Sequence, residues 1–88
     1  MAYSMGLPMT RYYFDLMDGD DLAVDEEGLE LSDIRKVQAE AAKSLADMAR
    51  DAVSNASIAK RQMAIEVRDK NGPVMQVRFS FEVERSER

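Results

Sequence analysis

The chain has 88 residues, 45% hydrophobic and 33% charged, which suffices for one modest core and leaves no room for a second domain. It has no cysteine and no histidine, so disulfides, thiolate chemistry, cysteine zinc sites and the usual imidazole base are excluded. Its net charge of −5 opposes binding to nucleic acid, and no apolar run approaches the roughly 20 residues of a spanning helix, so a cytoplasmic protein with neither nucleic-acid nor membrane partners is expected.

Residues 1–10 (MAYSMGLPMT) show no periodicity and no basic or continuous apolar region of a secretory signal, and read as a flexible leader to a domain over 11–85, with a short tail at 86–88. Residues 11–17 (RYYFDLM) alternate, with Tyr12, Phe14 and Leu16 on one face and Tyr13 and Asp15 on the other, the pattern of a half-buried strand. Acids and turn formers dominate 18–30, although 22–24 and 28–31 are each suited to a short extended piece in a hairpin-like excursion.

Ser32 is the expected N-cap of a helix over 32–55. Ile34, Val37, Ala41, Leu45, Met48 and Ala52 recur at steps of three and four on one face, and Ala42, Ala46 and Ala49 widen it. The polar run Ser54, Asn55, Ala56, Ser57 should end it, because such side chains compete for backbone hydrogen bonds.

Beyond the helix, Met63, Ile65 and Val67 alternate with Glu66 and Arg68, and residues 69–72 (DKNG) form a turn. Residues 74–84 are the clearest strand: Met75, Val77, Phe79, Phe81 and Val83 share one face, Gln76, Arg78, Ser80, Glu82 and Glu84 the other. A β-hairpin over 63–84 follows. The predicted fold is an α+β two-layer sandwich, one long helix packed on a three- to four-stranded antiparallel sheet, with Tyr12, Phe14, Leu16, Ile65, Val67, Val77, Phe79 and Phe81 beneath the helix.

The charge is two-sided. Residues 15–33 contain nine acids and no base, a local charge of −9 against +4 for the remainder. Such a segment steers a basic partner, holds a cation or simply stays solvated. As a calcium loop it fails: an EF-hand starting at Asp18 needs an oxygen ligand at the fifth position and Gly at the sixth, where Leu22 and Ala23 stand, and Leu29 replaces the twelfth-position Glu. No catalytic residue, metal ligand or cofactor is assigned, since an exposed carboxylate cluster lacks the burial that separates acid from base.

The favoured reading is a non-enzymatic interaction module that meets a basic protein partner through Asp20, Asp21, Asp25, Glu26 and Glu27. A carboxylate-based metal-binding protein or small metal-dependent enzyme is the alternative. A homodimer is also expected, because a small sheet has open edges and one helix leaves a face bare, with Tyr13 on it. The run Arg78, Phe79, Ser80, Phe81 faintly resembles an RNA-recognition strand, but stacking bases on Phe79 and Phe81 would bury Arg78, Ser80 and Glu82 under the helix, an expensive arrangement.

Taken together, RYYFD at 11–15, DGD at 18–20, DEEG at 25–28, EL at 30–31, AIEVRD at 64–69 and FEVER at 81–85 resemble a family of short, uncharacterised alphaproteobacterial proteins of rhizobial type. The likeness spans nearly all of 11–85 and implies a domain of unknown function; it carries no activity or site residue with it. A weaker resemblance is to HicB-type antitoxins, which open with a basic-aromatic strand, acidic turns and an Ala/Leu/Glu-rich helix. The chain departs from that family in lacking a longer second strand and a central glycine-containing turn.

Overall fold

The computed structural model describes residues 8–54 and 59–86. The elements in order are β1 (Thr10–Asp18), β2 (Asp21–Ala23), β3 (Leu29–Leu31), α1 (Ile34–Val53), β4 (Lys60–Asp69) and β5 (Gly72–Glu82). All pair antiparallel in the order β2-β1-β4-β5, and β3 pairs with β1 as well. One helix packs on an open five-stranded sheet, so the architecture is α+β as predicted, with both short pieces of the acidic excursion forming strands.

The long strands follow from alternation. Ile65 and Val67 of β4 are buried, Val77 and Phe79 of β5 and Tyr12, Phe14 and Leu16 of β1 pack against them, and Gln76, Arg78, Ser80 and Glu82 are exposed. Phe79 therefore packs in the core, and the polar alternates face water. The Lys70–Asn71 turn is tied by the Asn71 N–H, which donates to Asp69 Oδ1 at 2.8 Å. Next to it a register shift leaves Val74 without a partner opposite β4: Arg68 faces Pro73 and Val67 faces Met75. That bulge is why Val74 and Met75 are both half-buried, after which strict alternation resumes.

The helix starts one residue later than predicted. Asp33 is extended (φ −152°, ψ 163°) and its Oδ1 accepts from Lys36 N–H at 3.0 Å, so Asp33 is the N-cap in place of Ser32. The helix ends at Val53, where Ser54 N–H and Oγ both donate to the Arg50 carbonyl. The predicted extension to Asn55 lies outside the described residues. Its buried ridge is Val37, Ala41, Leu45, Ala49 and Ala52. Ala49 rather than Met48 takes the buried position, and Ile34, the first helical residue with no turn before it, is 48% exposed. Each buried Val, Leu or Ile side chain contributes roughly 1.5–3 kcal/mol. At about 30 Å, α1 matches the sheet's long axis, which leaves the opposite face open to solvent.

Candidate functional site

The acidic excursion is a strap laid along one edge of β1. In an antiparallel ladder, alternate residues direct their backbone groups to opposite neighbours. Gly19 N–H donates to Gln62 O, so odd-numbered residues of β1 face β4 and even-numbered ones face the strap. The strap pairs with β1 in two stretches: Leu29–Leu31 against Tyr12 to Thr10, and Asp21–Ala23 against Asp18 to Leu16. Phe14 falls in the gap. Its N–H faces the strap with no strand carbonyl opposite, and Asp25 supplies the acceptor: Oδ2 takes the Phe14 N–H at 3.0 Å. The other carboxylate oxygen closes the local turn, accepting from Glu27 N–H at 3.1 Å and Gly28 N–H at 3.2 Å.

A second set of contacts reaches in from β4. The Asp25 N–H donates to Asp15 Oδ1 at 2.9 Å, while Arg68 donates from Nε to Asp15 Oδ2 at 2.8 Å and from Nη2 to the Asp25 carbonyl at 3.0 Å. The guanidinium carbon lies 4.6 Å from the centre of the Tyr13 ring, which sits directly opposite Arg68 in the ladder. Arg11 holds the far end through the Glu27 carbonyl and the Glu30 carboxylate, the latter at 3.1 Å. Gly28, at φ +72°, lies against this clamp so closely that a Cβ would come within 2.9 Å of Arg11 Cγ, Tyr12 O and Tyr13 Cε2. Only glycine suits both that backbone and that contact.

These contacts redistribute the charge map. Asp15 is buried and paired with Arg68, Asp18 is bidentate to Arg61 at 2.8 and 2.6 Å, Glu30 is paired with Arg11, Asp33 caps the helix and Asp25 is bound to backbone. The expectation of an exposed carboxylate cluster is thus corrected in part: bases from β1 and β4, distant in sequence, close onto Glu30, Asp18 and Asp15. Asp20, Asp21, Glu26 and Glu27 stay exposed, and their carboxylates form no ion pair among the described residues. Of the five expected partner-binding acids, the structure places these four in solvent and turns the Asp25 carboxylate inward. Arg68, Arg11 and Gly28 were missed as site residues. Alternation puts Tyr13, Asp15 and Arg68 on the same outer face, but their meeting depends on the β1–β4 register, which no local pattern encodes.

Burial pushes the Asp15 carboxyl up, but the bonds from Arg68 and the Asp25 amide outweigh it and hold the group below its ordinary value. Asp25 behaves alike: burial raises it, and the amides of Phe14, Gly28 and Glu27, aided by Arg68, lower it further. Asp18 is lowered chiefly by its hydrogen bonds to Arg61. All three are firmly ionised near neutrality and bound to donors. That suits a clamp and does not suit a general acid. Among the described residues no group of three acids converges as a metal site. A hollow of about 540 Å³ opens on the bare sheet face, where the small side chain of Ala64 leaves room between Met17, Gln62, Gln76, Arg78 and Ser80. Arg78 is its one charged group, so it holds no acid–base pair.

A family model described as a domain of unknown function, DUF6894, matches residues 11–80. The chain belongs to the DUF6894 family. No curated protein matches it, and no solved structure does. Every member of the clamp, from Arg11 through Asp15, Asp25 and Gly28 to Arg68, falls inside the matched DUF6894 residues. Among the described residues no helix is long and apolar enough to cross a membrane.

Proposed function

We propose that this DUF6894 domain is a non-enzymatic interaction module whose strap meets a basic protein surface. The observation that carries the reading is a division of labour among the acids: Asp15 of β1 and Asp25 and Glu30 of the strap pin the strap down, while the side chains of Asp20, Asp21, Glu26 and Glu27 project freely beside exposed Leu22, Val24 and Leu29. Leu22 is 62% exposed and Val24 54%, so the segment offers apolar contact as well as charge. A pinned strap presents both without an ordering cost on binding. The partner chemistry that fits is a basic surface with apolar side chains between its cations.

The test uses a variant in which Asp20, Asp21, Glu26 and Glu27 become amides, with Asp25 left intact because its carboxylate secures the strap. Stability should change by no more than about 0.5 kcal/mol, as for exposed substitutions generally. Binding to basic amphipathic peptides, measured by fluorescence anisotropy, should weaken steeply with salt for the wild type and vanish for the variant. Equal binding by both would end the proposal. A rise in melting temperature with micromolar calcium, magnesium or manganese, lost in the variant, would transfer the site to a cation instead.

A further inference from the structure

We propose that β5 pairs antiparallel with β5 of a second copy of this chain, with the two-fold axis at Ser80. The two sheet edges differ. The β2/β3 edge consists of two three-residue strands interrupted at Asp25 and crowded with acids, so two copies meeting there would repel. β5 is an uninterrupted eleven-residue strand with no partner on its outer side among the described residues. A long bare edge of this kind is a template for strand addition.

Backbone direction decides which residues are available. Val83 N–H donates to Ala59 O at 2.8 Å, so odd-numbered residues in this stretch turn their backbone groups toward β4. Arg78, Ser80 and Glu82 turn theirs outward. An antiparallel copy bonds through those residues only in registers that place even-numbered residues opposite even-numbered ones. Centring on Arg78 sets Arg78 against itself, and centring on Glu82 sets Glu82 against itself. Centring on Phe79 sets Arg78 opposite Ser80 and pairs neither charge, and centring on Phe81 sets Arg78 opposite Glu84, which lies beyond the end of β5. Centring on Ser80 sets Arg78 opposite the second copy's Glu82, twice by symmetry.

Both Arg78 and Glu82 are exposed, and neither is in an ion pair among the described residues. The same register brings Phe79 opposite Phe81 and Val77 opposite Val83 on the helix side, where Phe79 and Phe81 are half-buried and Val83 is 49% exposed. The three outward pairs supply about six backbone hydrogen bonds. The straps lie at the far edges of the joined sheet, so the proposed partner surface stays free and each reading can fail without the other.

Sedimentation of the full chain across micromolar concentrations should give a mass of twice 9.9 kDa. Arg78→Glu and Glu82→Arg each place like charges in opposition and should each weaken the dimer by about tenfold or more, and the double exchange should restore it. Ser80→Pro removes only an outward N–H, so the β4–β5 ladder should survive by circular dichroism while the dimer is lost. A wild-type monomer at all concentrations overturns the proposal. So does a dimer that either single reversal leaves intact, or that the double exchange fails to restore.

Discussion

The β4–β5 hairpin and the strap along β1 both pair antiparallel with a neighbouring strand, yet they are held by different means. The hairpin rests on a long backbone ladder broken only by the bulge at Val74, a tight turn and apolar alternates beneath the helix, with Ile65 2% exposed and Val67 fully buried. The strap has three-residue strands at its ends and, between them, side chains standing in for a ladder: the Asp25 carboxylate replaces a strand carbonyl, and Arg68 reaches across β1 to grip Asp15 and Asp25. A ladder distributes stability over many small, repeated contacts. A clamp concentrates it in a few residues, each of which serves several groups at once.

The difference is open to test, and the largest effect should come from Gly28. Gly28→Ala combines an unfavourable φ of +72° with three contacts at 2.9 Å, so a loss of about 2–4 kcal/mol in urea unfolding is expected. Gly19 has a similar φ of +62° but nothing within 4 Å of its Cβ position, and Gly19→Ala should lose only about 1–2 kcal/mol. If the two losses are equal, the close packing of Gly28 in the clamp carries no weight.

Asp25→Ala should come next. It removes the acceptor from the amides of Phe14, Glu27 and Gly28, at a cost of about 1–3 kcal/mol. Native-state hydrogen exchange should find those three amides selectively deprotected, while Ile65 and Val77 in the hairpin keep their protection. Uniform deprotection of strap and hairpin would mean that the two regions are not separable.

The third effect is smaller and depends on pH. Asp15, Asp18 and Asp25 all lie below their ordinary value when folded, so they contribute stability above the unfolded carboxylate pKa of about 3.9 and lose it as pH falls through the folded values. Thermal stability should therefore be flat near neutrality and decline below about pH 5. Arg68→Gln removes the cation that lowers Asp15 and assists Asp25, so it should be less stable at pH 7 with a shallower acid decline. A pH profile unchanged by Arg68→Gln would remove that residue from the clamp.

The hairpin, the helix and their shared apolar face were legible because each element announces itself within a dozen residues: period two in β1, β4 and β5, a step of three or four in α1, and DKNG at the turn. The charge map was legible only as a list. Sequence showed nine acids without a base in residues 15–33; it did not show that Arg11, Arg61 and Arg68 would close onto Glu30, Asp18 and Asp15. Ser32 and Asp33 are both competent caps, and which of them takes the role depends on where the incoming chain leaves β3.

Local pattern thus determined the α+β class, the long elements and the buried alternates, because periodic burial is a property of neighbouring residues. Tertiary structure decided which acids are structural and which are free, why Gly28 must be glycine, and which atoms of β5 face outward. Each of these turns on strand register, and register follows from the joint packing of a whole face, where a slip of one residue would send every side chain to the other side.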